Sequence, residues 1–292
     1  MQNKLKGTGV AMVTPFRDDD SIDFNALKKL TEHIVNGGVE FLVIMGTTGE
    51  NPTLTVQEQE AILNYVTEIS EKKLPIVFGI GGNNTQAVIN RIKNTDFTNI
   101  DAILSAAPYY NKPTQKGLYI HYKSIASASP VPVILYNVPG RTSVNISAET
   151  TLKLANDFEN IIAVKEASGN LNQVMQILKN KPENFTVLSG DDTYTLPYIT
   201  LGMQGVISVT ANAYPKQFSD MVRAALKHEI NTSQQLHYKL LDFTNAVFSE
   251  GNPGGVKAAL EILNICKKYV RLPLASVSRE TYNKIENLMK NI

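Results

Sequence analysis

Eight short apolar segments, rich in β-branched residues, recur along the chain and are separated by stretches with helical patterning. In those stretches apolar residues fall at three- and four-residue spacing, as in amphipathic helices. Strand–helix alternation at intervals of roughly 30 residues predicts right-handed βαβ units and a parallel sheet. Eight units favour a closed (β/α)8 TIM barrel, an α/β fold, over an open doubly wound sheet, which stays the alternative because closure leaves no trace in the sequence. The segments are 7–16, 39–46, 75–82, 101–108, 132–139, 161–168, 185–192 and 205–212.

Capping residues and the end of the strand pattern divide the chain into parts. Three helix starts are marked by Asp23, by Thr55 with Glu58 three residues later, and by Ser147. Beyond residue 212 only helical segments follow, and we interpret the first of them as the eighth helix of the barrel. The sequence therefore predicts a catalytic (β/α)8 barrel over residues 1–225 and a C-terminal helical region over residues 226–292.

Composition narrows the class of protein. A formal net charge of +1 and the lack of any basic run give no reason to expect nucleic acid or an anionic membrane as partner. Cys266 is the only cysteine, which excludes an internal disulfide and fits a reducing compartment. The apolar stretch near the N-terminus is too short for a signal peptide, and no segment has the length of a membrane span. We expect a cytoplasmic protein.

The stretch "IIAVKEAS" places Lys165 in an apolar run that suits a strand covered on both faces. A buried ammonium group is costly unless it is paired or loses its proton. Alternation along a strand puts Ala163 and Ala167 on the same face, where they leave room for the lysine and a small ligand. A desolvated lysine has a lowered pKa and can attack a carbonyl group to form a Schiff base. The alternative is a strand that ends at Val164, with Lys165 in solvent or paired with Glu166.

In a parallel barrel, the reacting groups lie where strands end and loops to the helices begin. There the sequence offers tyrosine and threonine hydroxyls for a proton relay, a glycine-flanked turn "GTTG" whose N–H groups would hold a carboxylate, and a guanidinium for a second carboxylate. Each feature has a structural alternative: a core tyrosine, a capping turn, a surface arginine and helix-capping aspartates. The residues are Thr47, Thr48, Tyr109, Tyr110, Tyr136, Arg141, Asp191 and Asp192.

Other chemistries find less support. A metal site needs clustered histidines or carboxylates, whereas His33, His121, His228 and His237 all fall within predicted helices. The sequence contains no GxGxxG motif after the first strand, no nucleophile elbow and no phosphate-binding loop. We therefore expect a substrate without a phosphate group, and neither a cofactor nor a metal ion.

Six motifs in order make the chain resemble a known family: "GTTGE", "PYYNKPTQKGLYIHY", "LYNVPGRT", "VKEASGN", "LSGDD" and "GVISVTAN". They resemble the class I pyruvate-dependent aldolases, the family of the dihydrodipicolinate (4-hydroxy-tetrahydrodipicolinate) synthases and the N-acetylneuraminate lyases. The resemblance covers essentially the whole chain, including the C-terminal helices. The triplet "GRT" at 140–142 favours the synthases, because the sialic acid lyases carry a different loop there.

The resemblance implies a condensation of pyruvate with L-aspartate-4-semialdehyde that gives 4-hydroxy-tetrahydrodipicolinate, a step of lysine and diaminopimelate biosynthesis. Lys165 would form the Schiff base with pyruvate, and Tyr136 would shuttle protons. Thr47 would link Tyr136 to Tyr110, which in this family reaches in from a neighbouring subunit. The implied assembly is a homotetramer of two tight dimers.

The resemblance also implies which residues bind the substrates. The backbone N–H groups of Thr47 and Thr48 would hold the pyruvate carboxylate, and Arg141 would bind the carboxylate of the aldehyde. Gly190 and Ile207 would line the pocket. Two alternatives stay open at this point: another class I pyruvate aldolase such as an N-acetylneuraminate lyase, and a catalytically silent barrel that binds a small acid.

One departure concerns regulation. Lysine-inhibited members of the family bind the inhibitor at the dimer interface with an asparagine, a tyrosine, a histidine or aromatic residue, and a glutamate. Asn83 and Tyr109 match this pattern, but Val56 and Ala87 stand at the other two positions. Without the glutamate, the amino group of lysine lacks a counter-charge, so we expect feedback inhibition to be weak or absent. Strong inhibition by sub-millimolar lysine in a steady-state assay would contradict this expectation.

Overall fold

The computed structural model describes residues 5–292 and shows eight parallel strands closed into a barrel. Each strand pairs with its neighbours along the chain, and β1 pairs with β8 to close the barrel. The predicted (β/α)8 TIM barrel is confirmed, and the open sheet is wrong. The strands are β1 (Gly7–Ala11), β2 (Phe41–Ile44), β3 (Ile76–Gly79), β4 (Ala102–Ala106), β5 (Val133–Asn137), β6 (Ile161–Glu166), β7 (Thr186–Ser189) and β8 (Gly205–Ser208).

Every strand lies within its predicted segment but is shorter than that segment. The second segment, 39–46, contains the four-residue strand Phe41–Ile44. Met45, the next residue, is also apolar and buried, but its φ of 60° lies in the left-handed region and ends the strand. Apolar character therefore extends past the strand ends into the loops that carry the site.

Twelve α-helices surround and extend the barrel within the described residues. The predicted caps are confirmed: the side chains of Asp23, Thr55 and Ser147 each accept a hydrogen bond from a backbone N–H in the first turn. Within residues 5–292, none of the helices combines the length and the apolar character needed to cross a lipid bilayer. The helices are α1 (Phe24–Asn36), α2 (Val56–Ile69), α3 (Thr85–Lys93), α4 (Gln115–Ala128), α5 (Pro139–Thr142), α6 (Ala148–Asp157), α7 (Leu171–Asn180), α8 (Thr195–Thr200), α9 (Pro215–Leu226), α10 (Ile230–Phe248), α11 (Gly254–Ile262) and α12 (Arg279–Met289).

Alternation along each strand separates two apolar cores. Phe41, Tyr136 and Ala163 belong to the cluster that fills the barrel interior. Val164, the neighbour of Ala163, belongs to the larger cluster between the strands and the surrounding helices. The side chain at 165 therefore returns to the interior face, as the sequence predicts.

The C-terminal helices share the outer core. Phe243 and Val247 of α10 and Leu260 of α11 are at most 1% exposed and belong to the cluster that also contains the barrel helices. The predicted boundary at residue 225 lies at the end of α9. Whether residues 1–225 form a separable domain stays a prediction, and residues 1–4 of that range lie outside the described part of the chain.

Candidate active site

A cavity of about 400 Å³ opens at the C-terminal end of the strands. Its lining includes four of the residues selected from the sequence: Thr47, Tyr109, Tyr136 and Arg141. A slightly larger cleft, of about 460 Å³, lies at the opposite end of the barrel and is lined by loop residues such as Lys72 and Thr98. TIM barrels carry their reacting groups at the C-terminal end, so the smaller cavity is the candidate active site.

Lys165 lies inside the barrel near the end of β6, and only 5% of it is exposed. Its Nζ is 4.4 Å from the centroid of the Tyr136 ring, and the two residues are partners in the β5–β6 register. The alternative in which the strand ends at Val164 and Lys165 points to solvent is therefore wrong.

Glu166 is not the partner of Lys165. It points to the opposite face of β6, where it is 1% exposed. Its carboxylate accepts hydrogen bonds from the Asn137 side chain at 3.0 and 3.2 Å, from the Gln173 side chain at 3.1 Å and from the Ser168 N–H at 2.7 Å. The side chains of Lys165 and Glu166 thus lie on opposite faces of β6.

Small residues surround the stem of Lys165. Gly190 follows β7, and a Cβ atom placed there would lie 2.7 Å from Ala167 Cβ and 3.1 Å from Lys165 Cε. Ala163 in β6 and Ala167, directly after β6, flank the lysine, as the sequence predicts. The space for the lysine stem thus exists because position 190 has no side chain.

The "GTTG" turn follows β2 and forms a short 3-10 turn over Thr47–Gly49. The first N–H groups of a helical turn have no partner within it, so those of Thr47 and Thr48 are available to an anion. Met45 before the turn and Glu50 after it both have left-handed backbone, with φ of 60° and 56°. Such conformations cost energy and are held by their surroundings.

The contacts of the turn hold it from several sides. Thr48 is 2% exposed, and its hydroxyl accepts a hydrogen bond from the Asn252 side chain at 2.9 Å. The hydroxyl of Thr14 donates to the carbonyl of Gly49 at 2.7 Å. The side chain of Asn51 donates to the carbonyl of Met45 at 2.9 Å. The turn is therefore a preformed nest, and we refer to Thr47–Gly49 as the carboxylate nest.

Arg141 and the two tyrosines lie at the mouth of the cavity or beyond it. Arg141 belongs to α5, is exposed and lines the cavity. Tyr109 also lines the cavity and is 46% exposed. Tyr110 has a left-handed backbone (φ 73°), is 88% exposed and is not among the lining residues. The structure of the single chain therefore brings Arg141 and Tyr109 to the cavity, but not Tyr110.

Ile207 of β8 is 1% exposed and belongs to the interior cluster together with Tyr136 and Leu188. It contributes to the apolar packing of the barrel interior. The residues that line the cavity itself do not include Ile207, Thr48, Gly190 or Lys165, and the lysine lies deeper, beside the lining residue Tyr136.

The two aspartates of "SGDD" have structural partners. Asp191 accepts hydrogen bonds from the N–H groups of Thr193 and Tyr194 and so shapes the turn before α8. Asp192 is 3% exposed and accepts from the N–H groups of Val209 and Thr210 at 2.9 and 2.8 Å. Burial raises the pKa of both carboxyl groups. The alternative in which these aspartates cap the following helix is wrong, because the N-cap of α8 is Tyr194 and no side chain caps it. Asp191 instead shapes the turn before α8, and Asp192 binds the segment after β8.

The histidines lie away from the cavity lining. His33, His121 and His237 lie in helices as expected, but the prediction for His228 is wrong: it follows the end of α9 with a φ of 62°. Burial lowers the pKa of His121 to about 4 and also lowers the pKa of His237. Among residues 5–292, no three His, Cys, Asp or Glu side chains are grouped as a metal site requires.

Sequence reasoning missed two contributors to the site. Asn252 contacts Thr48 although 204 positions separate them. Glu50, directly after the carboxylate nest, forms a buried ion pair with Lys257. No local pattern marks either contact. The only available signal was that Glu50 closes the motif "GTTGE".

Comparison with known proteins places the chain in one family. The model of the dihydrodipicolinate synthetase family matches residues 4–292. A 4-hydroxy-tetrahydrodipicolinate synthase from Phocaeicola vulgatus is 49% identical over 292 residues, covering 100% of this chain and 98% of the relative. The crystal structure of dihydrodipicolinate synthase from Aquifex aeolicus superposes with a TM-score of 0.94 at 40% identity, covering 98% and 97% of the two chains. A pyruvate complex of the chloride-inhibited synthase from Acinetobacter baumannii superposes with a TM-score of 0.95 at 37% identity, covering 98% of each chain. The chain belongs to the dihydrodipicolinate synthetase family.

Proposed function

We propose that the chain condenses pyruvate with L-aspartate-4-semialdehyde to give 4-hydroxy-tetrahydrodipicolinate, a lyase activity of lysine and diaminopimelate biosynthesis. The observation that carries this proposal is the buried amine of Lys165 inside the barrel, with Nζ 4.4 Å from the Tyr136 ring centroid. The relatives described above bear the name of this activity, and one of them was crystallised with pyruvate. Neither a cofactor nor a metal ion enters the proposed reaction.

The reaction proceeds through covalent catalysis by the amine. The amine of Lys165 attacks the ketone carbon of pyruvate, and loss of water gives the imine. Loss of a proton from the methyl carbon gives an enamine, whose carbon attacks the aldehyde carbon of the semialdehyde. The amino group of the bound semialdehyde then attacks the imine carbon, which closes the ring and releases Lys165.

In the proposed reaction, Tyr136 moves protons in these steps. It lies beside Lys165 in the register of β5 and β6 and lines the cavity. In the proposed relay, the Thr47 hydroxyl connects Tyr136 to a Tyr110 hydroxyl. Such a positioned acid–base group contributes about a hundredfold to ten-thousandfold in rate.

Two separate sites bind the two substrate carboxylates. The free N–H groups of Thr47 and Thr48 in the carboxylate nest would hold the carboxylate of pyruvate. The guanidinium of Arg141, at the cavity mouth, would bind the carboxylate of the semialdehyde through two parallel hydrogen bonds. Gly190 and Ile207 shape the interior around the lysine.

Tyr110 enters the proposal through a second copy of the chain. It is 88% exposed and lies outside the lining of its own cavity. These two facts support the proposal that Tyr110 serves the cavity of a neighbouring subunit in a homotetramer of two tight dimers.

We propose a cytoplasmic location, because the single Cys266 leaves no internal disulfide.

The experiment is chemical trapping of the intermediate. The protein is incubated with pyruvate and sodium borohydride, and the adduct is located by peptide mass spectrometry. We expect one reduced pyruvate adduct on Lys165 in the wild type and none at that position in Lys165→Arg. An adduct on a different lysine, or no adduct at all, would contradict the proposal.

A further inference from the structure

A buried ion pair joins the residue after the carboxylate nest to a C-terminal helix. Glu50 directly follows Thr47–Gly49, and its Oε1 accepts a hydrogen bond from Lys257 Nζ. Both side chains are 0% exposed. The two residues are 207 positions apart, and Lys257 belongs to α11. The pair therefore connects the nest to an element that follows the eight strand–helix repeats.

Both members of the pair have further partners. Glu50 Oε2 accepts a hydrogen bond from the N–H of Arg271 at 2.9 Å. Lys257 Nζ also donates to the carbonyl of Tyr269 at 2.7 Å and lies 4.3 Å from the centroid of the Phe16 ring. Helix α11 and the segment at Arg271 thus both bind the carboxylate of Glu50, a residue whose backbone is left-handed.

The same region contacts the nest a second time. Asn252, which precedes α11, donates its side-chain N–H to the Thr48 hydroxyl at 2.9 Å. Because this hydroxyl accepts from Asn252, its own hydrogen remains free to donate elsewhere. Contacts from 252, 257 and 271 therefore converge on the four residues Thr47–Glu50.

Stability alone is a poor explanation for such a pair. Taking two charges out of water costs about as much as their attraction returns, and apolar residues of similar volume often stabilise a fold equally well. What the pair supplies in addition is one defined position for Glu50 and a neutral charge balance beside an anion site. We propose that Glu50 and Lys257 are positioning residues that set the carboxylate nest for the carboxylate of pyruvate. This inference rests on the proposed function.

The charge of each single variant sets the direction of the effect. Lys257→Met leaves Glu50 as an uncompensated buried anion next to a nest that must receive a second anion, so pyruvate binds least well. Glu50→Gln keeps the oxygen for the Arg271 N–H but turns its NH2 group towards Lys257, which is left as a buried cation. A cation beside the nest attracts the pyruvate carboxylate, so the loss of binding is smaller than in Lys257→Met. Replacing both residues leaves no unpaired buried charge, so the double variant binds pyruvate better than Lys257→Met does.

The test uses borohydride trapping of the full-length protein over a range of pyruvate concentrations. We expect the pyruvate concentration for half-maximal trapping to rise about tenfold to a hundredfold in Lys257→Met, and less in Glu50→Gln and in the double variant Glu50→Gln/Lys257→Met. Trapping at saturating pyruvate stays complete, because Lys165 itself is unchanged. The control is Glu40→Gln, which breaks a partly buried ion pair with Arg223 at the opposite end of the barrel. It lowers the melting temperature but leaves half-maximal trapping unchanged.

Each outcome decides the inference. If all three variants trap pyruvate at the wild-type concentration while their melting temperatures fall as in Glu40→Gln, the pair is only a structural contact and the inference is overturned. If Lys257→Met does not fold, the double variant takes its place, because it has no unpaired buried charge. Its pyruvate concentration for half-maximal trapping is then compared with those of Glu50→Gln and the wild type, and wild-type values in both variants overturn the inference. A wild type that forms no adduct contradicts the proposed function, and this inference with it.

Discussion

The space around Lys165 depends on a missing side chain at one position. A Cβ at Gly190 would come within 2.7 Å of Ala167 Cβ and 3.2 Å of Lys165 Cγ. We therefore expect Gly190→Ala to displace the lysine and lower kcat about a hundredfold, since catalytic geometry tolerates little misplacement. The measurement is steady-state turnover together with the melting temperature.

The matched control is Gly140→Ala, whose added methyl group meets nothing within 4 Å. It lies beside Arg141 in α5, so it tests the same kind of change at the cavity mouth. We expect it to keep kcat within a few-fold of the wild type. Equal activity of Gly190→Ala and Gly140→Ala would show that the lysine has more room than the structure assigns to it.

His121 makes the stability of the fold depend on pH. It is 3% exposed, its Nδ1 contacts the Thr85 hydroxyl at 2.9 Å, and its Nε2 has no partner. Burial lowers the pKa of His121 from 6.5 to about 4. Between these values the unfolded chain binds more protons than the native one, so stability falls as the pH drops from 6.5 to 4. The loss attributable to this residue reaches about 3 kcal/mol.

The measurement is urea unfolding at several pH values for the wild type and His121→Gln. Glutamine does not titrate, so we expect the variant to lose stability less steeply over this range, while the exposed His228→Gln follows the wild type. His237 also has a lowered pKa, so part of the slope remains in both variants. Identical slopes for the wild type and His121→Gln would contradict the assignment.

Individual residues differ in how far the sequence predicts their place. Lys165 could be placed because an amine inside an apolar strand is a local anomaly, and two alanines mark its face. The contact of Asn252 with Thr48 could not be predicted, since it depends on packing between distant segments. For Tyr110 the sequence indicates only its position in a loop after β4, and the role proposed for it depends on a second chain.

At the scale of elements, Glu166 holds β6 to its neighbours. Its carboxylate accepts hydrogen bonds from Asn137 of β5, from Gln173 of α7 and from the loop at Ser168. In Glu166→Gln one acceptor becomes an NH2 group that faces other donors. Because buried hydrogen bonds to a charged group contribute about 1.5–3 kcal/mol each, we expect a loss of about 3 kcal/mol in the free energy of unfolding.

Urea unfolding at neutral pH measures this loss. The control is Glu159→Gln, an exposed glutamate in the turn before β6, for which we expect a change within about 0.5 kcal/mol. A Glu166→Gln variant as stable as this control would mean that the hydrogen bonds to the Glu166 carboxylate add nothing to the stability of the contact between β5, β6 and α7.

The elements themselves were largely predictable because their signals are local. Apolar runs locate all eight strands, and the side chains of Asp23, Thr55 and Ser147 cap helices where expected. The apolar pattern predicts strand ends too late, because apolar residues such as Met45 continue into buried loops. The local pattern predicts a helix at His228, because nothing in it indicates the left-handed turn after α9.

At the scale of the whole molecule, one outer core spans both predicted domains. Phe243 and Val247 of α10, Leu260 of α11 and Ile285 of α12 are buried in the cluster that contains the barrel helices. We expect a chain that ends at residue 225 to lose cooperative unfolding, because it exposes the apolar surface that these side chains cover. The cooperativity of unfolding is measured by circular dichroism in increasing urea, with the full chain as control. Cooperative unfolding of the truncated chain would instead show a barrel that folds by itself.

The proposed reaction joins pyruvate to L-aspartate-4-semialdehyde through Lys165. Its most direct test is turnover of pyruvate with this aldehyde and, separately, with N-acetylmannosamine, by the wild type and by Lys165→Ala. We predict turnover with the semialdehyde, little or none with the sugar, and loss of activity in the variant. Turnover with the sugar alone, or a Lys165→Ala variant as active as the wild type, would contradict the account.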